Sequence, residues 1–194
     1  MARPSARTPA LAPPERTQSP RHLAWLDLEM TGLDVAEHAI LQAALIITDE
    51  RLEILEEFAC DVWQASNVLD KMSPFVRDMH EKTGLLARVK ASRIDARRAE
   101  QLLLEIVSGW CPYGAVLCGN SIWQDRKFVD RYFPGLGAYL TYRMIDVSSV
   151  KLLAQTWYGA DAVFSKPSVG EHDALVDIRN SIGELKHYKS TLFR

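Results

Sequence analysis

Acidic residues at three places along the chain, together with one histidine, have the types and spacing for phosphodiester chemistry. Asp27 and Glu29 stand two apart in LAWLDLEM. On a strand that spacing puts both carboxylates on one face, while Leu26, Leu28 and Met30 point the other way. Two neighbouring carboxylates repel and are costly to desolvate, and a hard divalent cation such as Mg²⁺ or Mn²⁺ removes that cost. The alternative is a strand that ends at Asp27 and leaves both acids solvated. Asp125, in CGNSIWQDRKF, falls near the first turn of a helix, where the helix dipole favours an acid in any case. EHDALVDI carries the rest. Asp173 and Asp177 are i, i+4 and share a helical face, so spacing alone favours that pair. His172 comes near Asp177 only from a lead-in to the helix, and is otherwise an exposed loop histidine. As a set, four carboxylates can hold two cations about 3.5–4 Å apart. Such a pair lowers the pKa of an attacking water and stabilises a leaving 3′ oxygen, and a histidine facing that water can act as general base.

These groups must be positioned by a sheet and helices. LAWLDLEM (23–30) reads as a strand with apolar residues on both faces, AILQAALIITD (39–49) as a central strand and LEILEEFACDV (52–62) as a third. Glu50-Arg51 is short enough for a hairpin. A helical stripe runs through 92–110, Ala115–Cys118 is a short buried strand, and a helix over 122–132 stops before Pro134. Arg143–Val147 reads as a strand, and Ser148 as the N-cap of a helix reaching Trp157. Residues 159–170, with Pro167 and two glycines, read as a loop. A last helix starts near His172 with its stripe at Leu175, Ile178, Ile182 and Leu185. Hairpins first and βα alternation later give an α/β fold, a mixed sheet flanked by helices.

The 194 residues suit one domain, 22–194, preceded by a tail over 1–21 that holds five of the nine prolines and lacks periodicity. Its four arginines and single acid permit an organellar targeting reading, but the prolines oppose an amphipathic helix. No apolar stretch approaches the roughly 18 residues of a membrane span. A formal charge of −2 lacks the positive excess of proteins that grip long nucleic acid. Nucleic-acid contacts should therefore be short and local. Cys60, Cys111 and Cys118 have no metal-type spacing and read as reduced thiols in a cytoplasmic setting.

LDLEMTGL (26–33), CGNSIWQD (118–125), YRMIDVSSVK (142–151) and HDALVDI (172–178) closely resemble oligoribonuclease, a branch of the DEDDh exonucleases. The resemblance covers roughly His22 to Tyr188. It implies an RNase H-like fold, two Mg²⁺ or Mn²⁺ ions, a homodimer, and hydrolysis of short RNA from the 3′ end down to dinucleotides. It makes Asp27, Glu29, Asp125 and Asp177 the metal ligands and His172 the base, so it chooses His172 over Asp173. It also implies substrate contacts. Leu33 would wedge between two bases, Phe75 would stack on a base, and Ser121 would approach the phosphate. Tyr142, Arg143 and Ser148 would close over the 5′ end from the partner subunit. Without the resemblance, Tyr142 and Arg143 read as a snorkelling surface pair.

Four positions depart from the family pattern. Gln42 replaces a common Glu, Trp123 a small residue, Val176 an acid, and Phe75 the usual tryptophan. None removes a catalytic group. A broader exonuclease acting on DNA ends or longer RNA, and a non-catalytic binding module on the same fold, are the rival readings.

Overall fold

The structure, a computed structural model, describes residues 16–165 and 173–193. The expected tail through residue 15, the loop segment 166–171, His172 and Arg194 lie outside the described residues.

Five strands form one mixed sheet: β1 (Leu23–Met30), β2 (Ile40–Thr48), β3 (Ile54–Asp61), β4 (Ala115–Gly119) and β5 (Leu140–Asp146), in the order β3-β2-β1-β4-β5. The first three make an antiparallel meander, while β4 lies parallel to β1 and β5 parallel to β4. The β2–β3 connection turns at Leu52, whose φ of 73° is held by Asp49, with its Oδ1 accepting from the Arg51 and Glu53 amides. Every residue of β2 is buried, as its apolar run requires of a central strand.

The helices are α1 (Ser66–Leu69), α2 (Pro74–Lys82), α3 (Leu85–Ala91), α4 (Ala96–Trp110), α5 (Trp123–Tyr132), α6 (Pro134–Tyr139), α7 (Val147–Tyr158) and α8 (Ala174–Thr191). Strand alternation divides the core. Ala24, Leu26 and Leu28 of β1 pack with Leu103 and Val107 of α4 and Phe128 of α5. Trp25 on the opposite face packs with Ala154 of α7 and Ile178, Ile182 and Tyr188 of α8. The result is an α/β/α sandwich with Asp27 and Glu29 on the α8 side.

Several boundaries differ from the sequence reading, each for a local reason. Helix α4 begins at Ala96 because Asp95 caps it, accepting from the Arg98 amide at 2.7 Å. Residues 63–91, to which the sequence reading assigned no element, contain the three short helices α1–α3. Ser73 caps α2 and Pro74 opens it. Strand β5 starts at Leu140, three residues early, after the short helix α6. The cap of α7 is Asp146, which accepts from the Ser148 amide at 2.9 Å, so Ser148 lies inside the helix and its hydroxyl is used elsewhere. Residues 16–21, read as the end of the tail, lie against the domain. The Arg16 guanidinium donates twice to Glu56, and the Ser19 amide donates to Trp110 O.

Candidate active site

Strand β1 carries Asp27 and Glu29 to the α8 face, and the first turn of α8 brings Asp177 close to them. Carboxylate oxygens of Asp27, Glu29 and Asp177 lie within 4.8 Å of one another. Asp125 reaches β1 from another direction. Strand β1 pairs with β4 only as far as Trp25. Farther along, the Leu28 N–H donates to Asp125 Oδ1 at 3.0 Å instead. Asp125 thus completes the strand's hydrogen bonding from the first turn of α5, which explains how a charged side chain comes to be buried there.

The electrostatics of this cluster are those of carboxylates packed together. Burial pushes Glu29 up to about 8, and the nearby charges of Asp177, Asp125 and Asp173 push the same way. Burial raises Asp125 to about 7 against the opposing pull of backbone N–H groups, with Asp146 adding to the rise. Hard oxygen donors at this spacing, costly to ionise together, fit a divalent cation.

Asp173 takes a different role from Asp177. Its Oδ1 accepts from the Leu175 and Val176 amides and caps α8. The i, i+4 pair that spacing favoured is therefore split into a cap and a member of the acid cluster. His172 lies outside the described residues.

Two of the residues expected to meet substrate, Leu33 and Phe75, share a cleft with Glu29. Leu33 (69% exposed) and Phe75 (78% exposed) face a cleft of about 260 Å³. Glu29 and Gly32 line its side nearer β1, and Val76 and Met79 line its α2 side. A Cβ at Gly32 would meet the His38 ring at 2.5 Å, so any side chain there would have to displace that imidazole. Gln124 Nε2 donates to Leu33 O at 2.6 Å and ties that turn to α5. Ser121 adopts φ 50°, with its N–H between Asp146 Oδ1 (3.0 Å) and Ser148 Oγ (2.9 Å). Tyr142 and Arg143 are exposed on the edge strand β5, with the guanidinium 5.2 Å from the ring. Trp123 is 55% exposed, under Lys127 Nζ at 4.5 Å.

Two positions have roles that the sequence did not reveal. His80 is wholly buried, donates Nε2–H to Met30 O at 3.0 Å, and sets Nδ1 3.9 Å from Glu29 Oε2. No spacing rule connects it to β1 across fifty residues. Gln42 pairs with Glu29 across β1 and β2, donates to Asp61 Oδ1 at 2.8 Å and accepts from the Ala174 amide at 3.4 Å. An amide can serve both partners where a carboxylate would oppose Asp61. The three cysteines are buried free thiols, pushed up by burial, Cys60 and Cys111 to about 11.

An exonuclease family model, RNase_T, matches residues 24–185. The oligoribonuclease of Francisella tularensis subsp. tularensis (strain WY96-3418) is 46% identical over 177 residues, covering 90% of this chain and 98% of that protein. The oligoribonuclease of Azoarcus sp. (strain BH72) is 42% identical over 179 residues, covering 91% and 98%. Among solved structures, an exonuclease I in complex with the inhibitor BCBP matches with a TM-score of 0.70 at 15% identity, over 91% of this chain and 42% of that one. The zinc-bound form of an E. coli exonuclease I complex with single-stranded DNA matches with a TM-score of 0.69 at 16% identity, over 92% and 42%. These two structural likenesses carry the fold, and this chain spans about two fifths of their length.

Proposed function

Because the chain belongs to the oligoribonuclease family of exonucleases, we propose that it hydrolyses short oligoribonucleotides, dinucleotides above all, from the 3′ end to 5′-mononucleotides. The observation that carries the site is the cluster of Asp27, Glu29 and Asp177 oxygens within 4.8 Å, with Glu29 forced up to about 8 by burial and its acidic neighbours.

Asp27, Glu29, Asp125 and Asp177 would hold two divalent cations, Mg²⁺ or Mn²⁺. When bound, these ions supply positive charge to the scissile phosphate and make water a better nucleophile. The protein's own groups do the rest. His172 takes a proton from the attacking water as its oxygen bonds to phosphorus and the bond to the 3′ oxygen breaks, and the departing 3′ oxygen takes a proton from solvent to leave as a hydroxyl. Leu33 wedges between the two bases and Phe75 stacks on one of them, which orients the phosphodiester over the acids. Ser121 holds the phosphate. His80 and Gln42 steady Glu29 and the start of α8.

The short-substrate preference rests on Tyr142, Arg143 and Ser148, which would close over the 5′ end of a substrate in the partner protomer of a homodimer. An arginine offers a forked donor to a terminal phosphate, and a blocked 5′ end leaves longer chains no exit. The three buried free thiols accord with a cytoplasmic location.

The test is hydrolysis of a 5′-phosphorylated diribonucleotide. Cleavage in Mg²⁺ or Mn²⁺ that EDTA stops, and that Asp125→Asn loses by a hundredfold or more (on the order of the loss of a metal ligand or its support), is expected. Metal-independent cleavage, or an active Asp125→Asn, would overturn the assignment.

A further inference from the structure

Behind the acid cluster runs a chain of polar side chains, of which Asn120, Ser181, Glu184 and Tyr188 have no part in the reaction just described. Ser148 Oγ accepts from the Ser121 N–H at 2.9 Å and donates to Asn120 Oδ1 at 3.1 Å. Asn120 Nδ2 in turn donates to Ser181 Oγ at 2.8 Å and to Glu184 Oε2 at 3.3 Å. Ser181 Oγ donates to the backbone oxygen of Asp177 at 2.9 Å. Glu184 Oε1 accepts from the Tyr188 hydroxyl at 3.0 Å, and that hydroxyl accepts from the Phe164 amide at 3.4 Å. Ser181, Glu184 and Tyr188 are all buried, Glu184 completely.

The directions of these bonds are fixed by chemistry. The Phe164 amide can only donate, so the Tyr188 hydroxyl is left to donate onward to Glu184. Both Tyr188 and Asn120 therefore donate to the Glu184 carboxyl, and Asn120 must turn its oxygen towards Ser148. The polarity of one buried side chain on α8 thus sets the orientation of Asn120, and through it the position of the Ser148 hydroxyl beside Ser121. Burial makes this stringent, because a donor or acceptor left without its partner at such a depth is expensive.

We propose that Asn120 and Glu184 are positioning residues that hold the Ser121–Ser148 pair in register with the α8 helix carrying Asp177. The substrate phosphate and the acid cluster would then be located relative to each other by side chains that touch neither. The link from this pair to phosphate binding rests on the function proposed above, whereas the register itself does not.

The test reverses the polarity of the contact with isosteric changes. Asn120→Asp sets a carboxylate against Glu184, and Glu184→Gln sets a donor against the Asn120 amide. Combined, the two changes restore a donor facing an acceptor. The first readout is amide hydrogen exchange at Ser121 by NMR. Each single change should speed exchange there by about tenfold, the size expected for loss of one charge-assisted hydrogen bond. The combined variant should return to within about threefold of wild type, the scatter expected of non-interacting changes being smaller than this rescue. Exchange unaffected by the single changes, or a combined variant equal to the sum of the two, would overturn the proposal. If either single variant fails to fold, the comparison of Glu184→Leu and Asn120→Ala with wild type takes its place, with the same faster exchange at Ser121 expected and an unchanged rate overturning it.

The second readout is the ratio of KM values for 5′-phosphorylated and 5′-hydroxyl dinucleotides. Displacing Ser148, the member of the pair placed at the 5′ end, raises KM more for the phosphorylated substrate, whereas a general loss of structure affects both alike and contradicts the proposal. A wild-type protein that cleaves neither substrate would instead remove the proposed function, while the exchange at Ser121 would still decide the register.

Discussion

Binding of Mn²⁺ to the metal-free protein should release protons, and the amount follows from the acid cluster. Glu29 is pushed up to about 8 and Asp125 to about 7. At pH 7 Glu29 is therefore about nine-tenths protonated and Asp125 about half. A cation that binds carboxylates displaces those protons, so about 1.4 should be released per site at pH 7 and about 0.1 at pH 9. The assay is isothermal titration calorimetry in two buffers with different ionisation enthalpies, repeated across pH. The same groups set the stability of the metal-free protein. The folded state holds the Glu29 proton more tightly than the unfolded chain does. Stability without metal should therefore fall as pH rises from about 4.5 towards 8, on the order of 4 kcal/mol from Glu29 alone. Saturating Mn²⁺ should flatten that slope. Proton release near zero at pH 7, or a metal-free protein that gains stability through this window, would refute the packing of these carboxylates as the origin of cation binding.

Asp173→Ala should lower stability by about 1 kcal/mol through loss of the α8 cap yet leave turnover within a few-fold; thermal melts and initial rates measure the two effects. Asp177→Asn should do the reverse, keeping the melting temperature and losing hydrolysis. Phe75→Ala should raise KM for a dinucleotide by about tenfold, in line with about 1–3 kcal/mol for stacking on one base, and steady-state kinetics would show it. Arg143→Ala should weaken binding of a 5′-phosphorylated dinucleotide far more than that of its 5′-hydroxyl counterpart, and equal affinities in the variant and wild type would remove the cap.

The sequence made the frame of the site legible because it follows short-range rules. Alternation on β1 placed Asp27 and Glu29 on one face, and the apolar run of β2 marked a central strand. Asp125 was legible as an acid in a first helical turn, but its bond to the Leu28 amide depends on where β4 stops pairing with β1, which no local pattern encodes. Asp173 and Asp177 were not separable by spacing. Only the cap geometry of α8 assigns one to the backbone and the other to the cluster. His80 and Gln42 act across elements far apart in sequence. The short helices α1–α3 escaped notice because four to nine residues are too few to establish a helical period.

A metal-dependent exonuclease shaped for very short RNA should favour the shortest substrates. The most direct measurement is the rate of hydrolysis of 5′-phosphorylated RNAs of two, five and about twenty nucleotides, with Mg²⁺ and with EDTA, the longest carrying far more phosphates than this nearly neutral chain can match. Metal-dependent cleavage fastest on the dinucleotide is expected. Fast processive cleavage of the longest RNA would contradict the capped site, and no cleavage with any metal would contradict the enzyme itself.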